Sequence, residues 1–204
     1  MFYEIEDELG TVKALRLKPF TTKRPERVKP IQGIQSAPFF SLKASSSVWN
    51  SRFAERFTNL NEVSLPQLIQ DRPLVLSFYC PCWNAYAAKH LQFLQQTYQN
   101  IRGLGADLLV LSNEPAPLLQ QLVNQHDFDF NLAYDWHNQI ARSFGVYSDT
   151  HPLWERVSGI SDDAYIPAIY VISRQRQLVF DFVDENLALT CDSRSLLSAI
   201  YLNR

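Results

Sequence analysis

Two buried apolar runs, residues 73–79 and 107–112, limit the folds open to this chain more than any other feature. Neither alternates apolar with polar positions, so each reads as a strand covered on both faces. Between them, residues 84–101 place Tyr86, His90, Leu91, Leu94, Tyr98 and Ile101 at the spacing of one helix of four to five turns. A strand, a helix and a second buried strand make a crossover unit, which means parallel pairing and a right-handed connection. The pattern continues with a helix over 115–126 that opens on proline, a short strand over 131–134, and a helix capped by Asp135 that runs to Phe144 and is closed by Gly145. Residues 168–172 and 178–183 form an antiparallel hairpin across 173–176, and Asp192 or Ser193 caps a last helix ending at Leu202. The expected class is α/β: a mixed sheet with a parallel βαβ part and a C-terminal antiparallel hairpin, flanked by helices on both faces.

Ahead of this regular part, Ser64-Leu65-Pro66 reads as a cap and first helical turn running to Ile69. Residues 47–57 carry Val48, Trp49, Phe53 and Phe57 on one helical face or a turn. Residues 1–32 differ from the rest: 12–17 alternates like a half-exposed strand, and 19–30 is rich in Pro, Thr and basic residues. The expected organisation is an extended N-terminal arm over 1–32 and one domain over 33–204. Lys13, Arg16, Lys18, Lys23, Arg24, Arg27 and Lys29 face only Glu26. They read as a contact for a partner or as a solvated stretch balancing the acidic residues before it. No aromatic residues interleave with them as a base-stacking surface would require.

The net charge is -2, from 19 basic and 21 acidic residues, which argues against whole-molecule attraction to nucleic acid or an anionic membrane. No apolar run is long enough to span a bilayer, and the acidic start Glu4-Ile5-Glu6-Asp7-Glu8 lacks the order of a secretion signal. The expected location is the cytoplasm. Three cysteines, Cys80, Cys82 and Cys191, are too few and too odd in number for a disulfide framework.

From Gly33 to Leu202 several segments carry a family likeness. They are Gly33-Ile34-Gln35-Ser36-Ala37-Pro38-Phe39-Phe40-Ser41-Leu42, Val63-Ser64-Leu65 before the run ending Ser77-Phe78-Tyr79, and Leu104-Gly105-Ala106-Asp107. Ala141-Arg142-Ser143-Phe144-Gly145-Val146 and Ile166-Pro167-Ala168-Ile169-Tyr170 complete the set. In this order the chain resembles the alkyl hydroperoxide reductase and thiol-specific antioxidant family, the peroxiredoxin-like branch of the thioredoxin superfamily. The resemblance implies a thioredoxin-like fold and a thiol–disulfide or peroxide oxidoreductase. It also implies a cis-proline at Pro167 beside the redox site, without a cofactor or metal.

The same alignment lays Trp83 and Tyr86 on the family's tryptophan and tyrosine without a gap. Asn84 and Ala87 then stand where the two family cysteines would be. An asparagine is not a nucleophile but is a strong N-cap, so Asn84 keeps the helix start and loses the reaction. The threonine or serine and the arginine of peroxiredoxins are also absent from the matching positions, Pro167 standing where that arginine would be.

Two readings of function follow. In the first, redox chemistry has moved to Cys80-Pro81-Cys82, with Trp83 and Pro167 shaping the site; the ring closed by a Cys-x-Cys disulfide is small and readily reduced. In the second, the chain is a catalytically inactive thioredoxin-fold module that binds a peptide or protein partner in the groove by Trp83, Asn84 and Pro167. The partners are accordingly a thiol or disulfide substrate, or a protein. A homodimer joined through the arm and the aromatic insertion over 147–165 is a third, weaker idea. His90, His126, His137 and His151 are scattered and read as helix-face or loop residues. Cys191 reads as a resolving thiol or a buried residue beside a cap.

Overall fold

Residues that alternate neither in sequence nor in burial build the centre of the sheet. The structure, a computed structural model, describes residues 2–6, 12–16, 27–57, 59–155, 157–160, 163–188 and 190–204. In chain order its elements are β1 (Phe2–Glu6), β2 (Val12–Arg16), β3 (Ser41–Lys43), β4 (Ser47–Val48), α1 (Ser51–Phe57), β5 (Glu62–Ser64), α2 (Leu65–Leu68) and β6 (Leu74–Tyr79). They continue with α3 (Ala85–Gly103), β7 (Asp107–Ser112), α4 (Ala116–His126), β8 (Asn131–Tyr134), α5 (Gln139–Ser143), β9 (Ala168–Ile172), β10 (Leu178–Val183) and α6 (Ser193–Leu202).

The main sheet has the order β10-β9-β6-β7-β8-β4. Strands β6, β7 and β8 are parallel, while β9, β10 and β4 join antiparallel. Every residue of β6, β7 and β9 is buried, as the unbroken apolar runs require. The crossovers β6-α3-β7 and β7-α4-β8 step in one direction and the return to β9 runs the other way. Right-handed connections between these parallel strands therefore put α3 and α4 on one face. Helix α6 packs on α3 and on the β9–β10 hairpin. This is the mixed, two-sided α/β arrangement expected from the sequence.

The helix ends show which local signals hold. Ser64 and Gln67 form a reciprocal capping box at α2, and Ser64 N–H donates to Gln67 Oε1 at 2.8 Å. Asp192 accepts from the N–H groups of Arg194 and Ser195 at the start of α6. Asp135 also caps, but later than expected: its carboxylate accepts from Ile140 N–H at 2.9 Å and Ala141 N–H at 2.8 Å. His137 and Asn138 both turn to positive φ, 54° and 56°, so the α-helix begins only at Gln139. The helix expected over 47–57 is divided. Ser47 and Val48 instead pair with Leu132 and Ala133 as the sheet edge, and α1 starts at Ser51.

The front of the chain is less separate than its composition implies. Residues 2–6 and 12–16 pair as an antiparallel hairpin. Most of the basic stretch, 17–26, lies outside the described residues. Residues 27–37, however, lie on the body of the domain. Arg27 pairs with Glu185, Ile31 N–H donates to Phe144 O at 3.0 Å, and Ala37 N–H donates to Arg176 O at 2.8 Å. Gly145 has φ +69°, and a Cβ there would overlap Lys29 O and come within 2.9 Å of Lys29 C. Only glycine admits that approach. Among the described residues, no helix is long and apolar enough to cross a membrane.

Candidate functional site

Strand β6 lies between β7 and β9, where the connections of the sheet diverge, so the loop leaving its C-terminal end opens at the switch point of an α/β sheet. That loop is Cys80-Pro81-Cys82-Trp83. Cys80 is extended and 1% exposed. Residues Pro81–Trp83 make one 3₁₀ turn, closed by Trp83 N–H to Cys80 O at 3.3 Å and Asn84 N–H to Pro81 O at 3.2 Å. Cys80 and Cys82 are joined by a disulfide, with their Cα atoms 5.2 Å apart. Pro81 is exposed and Cys82 partly so, whereas Cys80 is closed off by the core. An incoming group therefore reaches the pair through Cys82.

Trp83 anchors the turn. It is buried, its Nε1–H donates to Tyr165 O at 2.8 Å, and its ring meets those of Tyr79, Tyr86 and His90 edge to face at 5.9, 5.8 and 5.5 Å. Beneath it, His90 and Ser77 are both buried and share a 2.8 Å hydrogen bond between Nε2 and Oγ. Burial lowers the His90 pKa to about 4, so its imidazole is neutral at neutral pH. Tyr79, two residues beyond Ser77 on β6, is pushed up to about 12 by burial and then by Glu114, and stays protonated.

Two expectations change here. Asn84 precedes α3, but its side chain makes no capping bond; its Nδ2–H donates to Gly159 O at 3.1 Å. What the position demands is backbone freedom, because Asn84 has φ 53° and ψ −125°. Pro167 is not preceded by a cis bond: no described peptide is cis. It is buried beside the end of β6, its carbonyl accepts from Asp184 N–H at 2.9 Å, and Ile166 N–H donates to Val146 O at 2.8 Å. The Pro167 carbonyl and the Ile166 amide are thus both engaged within the chain.

The structure brings Cys80, Cys82, Trp83 and Asn84 together in one turn. Cys191 is apart, buried without a disulfide, its thiol pushed up to about 12 by burial and then by Asp192. A groove of about 450 Å³ between α3 and α4 opens beside the turn, with Pro81, Asn84, Leu91 and Leu122 in its wall. In the insertion, Trp154 is half-exposed at 45%, whereas Tyr165 is fully buried and donates to Asn138 Oδ1 at 3.0 Å. Sequence reading missed Tyr165 as the anchor of Trp83, and His90 and Ser77 as a buried pair. The helical spacing of Trp83, Tyr86 and His90 was the only signal available. Among the described residues, no group of three or more His, Cys, Asp and Glu side chains is placed to hold a metal.

Comparison with known proteins agrees with this fold. Solved structures share the fold at low identity. The reduced 2-Cys peroxiredoxin of Plasmodium vivax is 18% identical over 81% of this chain and 78% of its own, with a TM-score of 0.60. The peroxidoxin BcpB of Mycobacterium tuberculosis is 17% identical over 83% and 96%, with a TM-score of 0.59. AhpC of the same organism is 11% identical over 84% and 92%, with a TM-score of 0.60. No curated protein sequence matches the chain. Residues 35–180, from the strap on β10 through the Cys80–Cys82 turn to the closing hairpin, match the model of one family, and the chain belongs to that family, AhpC/TSA.

Proposed function

We propose that this protein is a thiol–disulfide oxidoreductase whose redox couple is Cys80 and Cys82. The observation that carries the reading is their disulfide at the C-terminal end of β6, with one sulfur buried and the other partly open. The register set by Trp83 and Tyr86 supports it, because it leaves Asn84 and Ala87, neither of them a nucleophile, at the positions of the family's cysteines.

In the reduced protein the Cys82 thiolate attacks one sulfur of a substrate disulfide. The substrate S–S bond breaks, a mixed disulfide forms on Cys82, and the first substrate thiolate leaves and takes up a proton. The Cys80 thiolate then attacks Cys82 Sγ, closes the intramolecular disulfide and expels the second substrate thiolate. The substrate gains two electrons and the couple loses two; exchange with an external dithiol returns it. The N-terminal end of α3, just beyond Cys82, favours negative charge on that sulfur. A reducing compartment such as the cytoplasm suits a couple that must be returned to the dithiol.

The test is turnover of a small aromatic disulfide with a dithiol as electron source. Wild type turns over. Cys82→Ser loses activity, and Cys80→Ser stalls as a mixed disulfide on Cys82 seen by mass spectrometry. Undiminished turnover in the Cys80→Ser, Cys82→Ser double variant overturns the proposal, as does a wild type with no turnover, which leaves the binding module.

A further inference from the structure

The groove beside the redox turn has two stretches. The first, of about 450 Å³, lies between α3 and α4; the second, of about 290 Å³, runs along α4 past Glu114 and Leu118. Tyr79, Pro81 and Leu122 stand in the walls of both, so the stretches meet at Pro81, the residue before Cys82. A cavity of ~150 Å³ admits one benzene ring, so this groove admits several side chains in a row.

One kind of chemistry runs along it. Ala87, Leu91, Leu119 and Phe128 are buried in its lining, and Leu118 is 46% exposed at its edge. Four exposed glutamines stand in its walls, Gln92 and Gln95 on α3 and Gln121 and Gln125 on α4. Their spacing of three and four residues keeps each pair on one helix face. Among the described residues no lysine or arginine lines either stretch, and Glu114 is the one carboxylate.

We infer that the disulfide reduced by the Cys80–Cys82 couple belongs to an uncharged, extended polypeptide segment that lies along this groove. The inference rests on the redox reading above and names the substrate class of that site. Apolar side chains of the segment take the leucine and phenylalanine lining. A glutamine amide donates and accepts as a peptide group does, so the walls match the backbone of such a segment without selecting a charge. An acidic segment meets no cation there and faces Glu114, so its carboxylates lose water without gaining a partner. Glutathione disulfide, small and multiply charged, is disfavoured on the same ground. The exchange is the one written above: the segment's S–S bond breaks, takes two electrons from the couple and leaves as two thiols.

The test mixes pre-reduced, desalted protein with three oxidants and follows the thiol released in a single turnover. They are the small aromatic disulfide, an acetylated and amidated octapeptide of alanine and leucine carrying a 2-thiopyridyl disulfide on one cysteine, and the same peptide with glutamate in place of leucine. The uncharged peptide is expected to react at least about tenfold faster than the acidic one at low concentration, with the difference in the half-saturating concentration and not in the maximal rate. Gln92→Lys with Gln121→Lys, both at exposed positions, is expected to speed the acidic peptide at least about fivefold, the scale of exposed ion pairs. Equal rates for the two peptides, or a gap unmoved in the variant, overturns this inference alone when the small disulfide is still reduced. Failure to reduce the small disulfide overturns the redox reading and this one with it. A dimer of the reduced protein that the two lysines dissociate in sedimentation gives the groove to a second copy and likewise overturns it.

Discussion

His90 shows how much one residue type depends on where the chain puts it. In the sequence it is one of four scattered histidines; in the structure it is sealed under Trp83 against Ser77. Its pKa falls from 6.5 to about 4 because burial disfavours the imidazolium. Between those values the unfolded chain binds a proton that the folded chain does not, so stability rises with pH across that window and is lost as pH falls from 6.5 toward 4. The upper limit of this contribution is about 3 kcal/mol. His90→Gln removes it. Urea midpoints measured across the window are expected to slope less steeply in the variant than in wild type, and parallel slopes would show that His90 contributes nothing to the acid sensitivity.

Among the elements, those written in local chemistry were legible and those made by distant contacts were not. Strands β6, β7 and β9 appear where apolar runs placed them, because burial on both faces leaves a mark in sequence, and β8 and β10 also lie where the sequence put them. The caps Ser64 and Asp192 were likewise readable. Strand β4 was not: two residues form a strand only because β8 lies beside them. Nor was the late start of α5, which rests on positive φ at His137 and Asn138. The candidate site divides in the same way. Cys80 and Cys82 stood out by residue type, while the trans peptide at Pro167 and the strained backbone at Asn84 leave no trace in composition. Asn84 gives the prediction at this scale. Its φ of 53° with ψ −125° is ground where glycine has no Cβ to clash. Asn84→Gly is expected to leave stability within about 1 kcal/mol of wild type, and Asn84→Val to cost about 1–3 kcal/mol. Both lose the bond to Gly159 O, so their difference in denaturation isolates the backbone; equal midpoints would remove strain from the account.

For the whole molecule, the junction that matters is the seating of residues 27–37 on the C-terminal third. Gly145 is its tightest point. Gly145→Ala adds a Cβ at φ +69° against Lys29 and is expected to cost more than about 2 kcal/mol. The same change should raise hydrogen exchange at the Ile31 amide, which donates to Phe144 O. A destabilised variant with unchanged exchange at Ile31 would mean that the strap is held elsewhere.

That seating also dictates when the protein can finish folding. Arg27 finds Glu185 158 positions later, and Gly33 finds Asp181 148 positions later. As the chain emerges from a ribosome, its front is therefore made first and its docking is completed last, once the closing hairpin has been synthesised. A nascent chain halted before residue 178 carries β6, β7, β8 and the Phe144–Gly145 seat, but it lacks Asp181 and Glu185 and so holds only part of what fastens its own beginning.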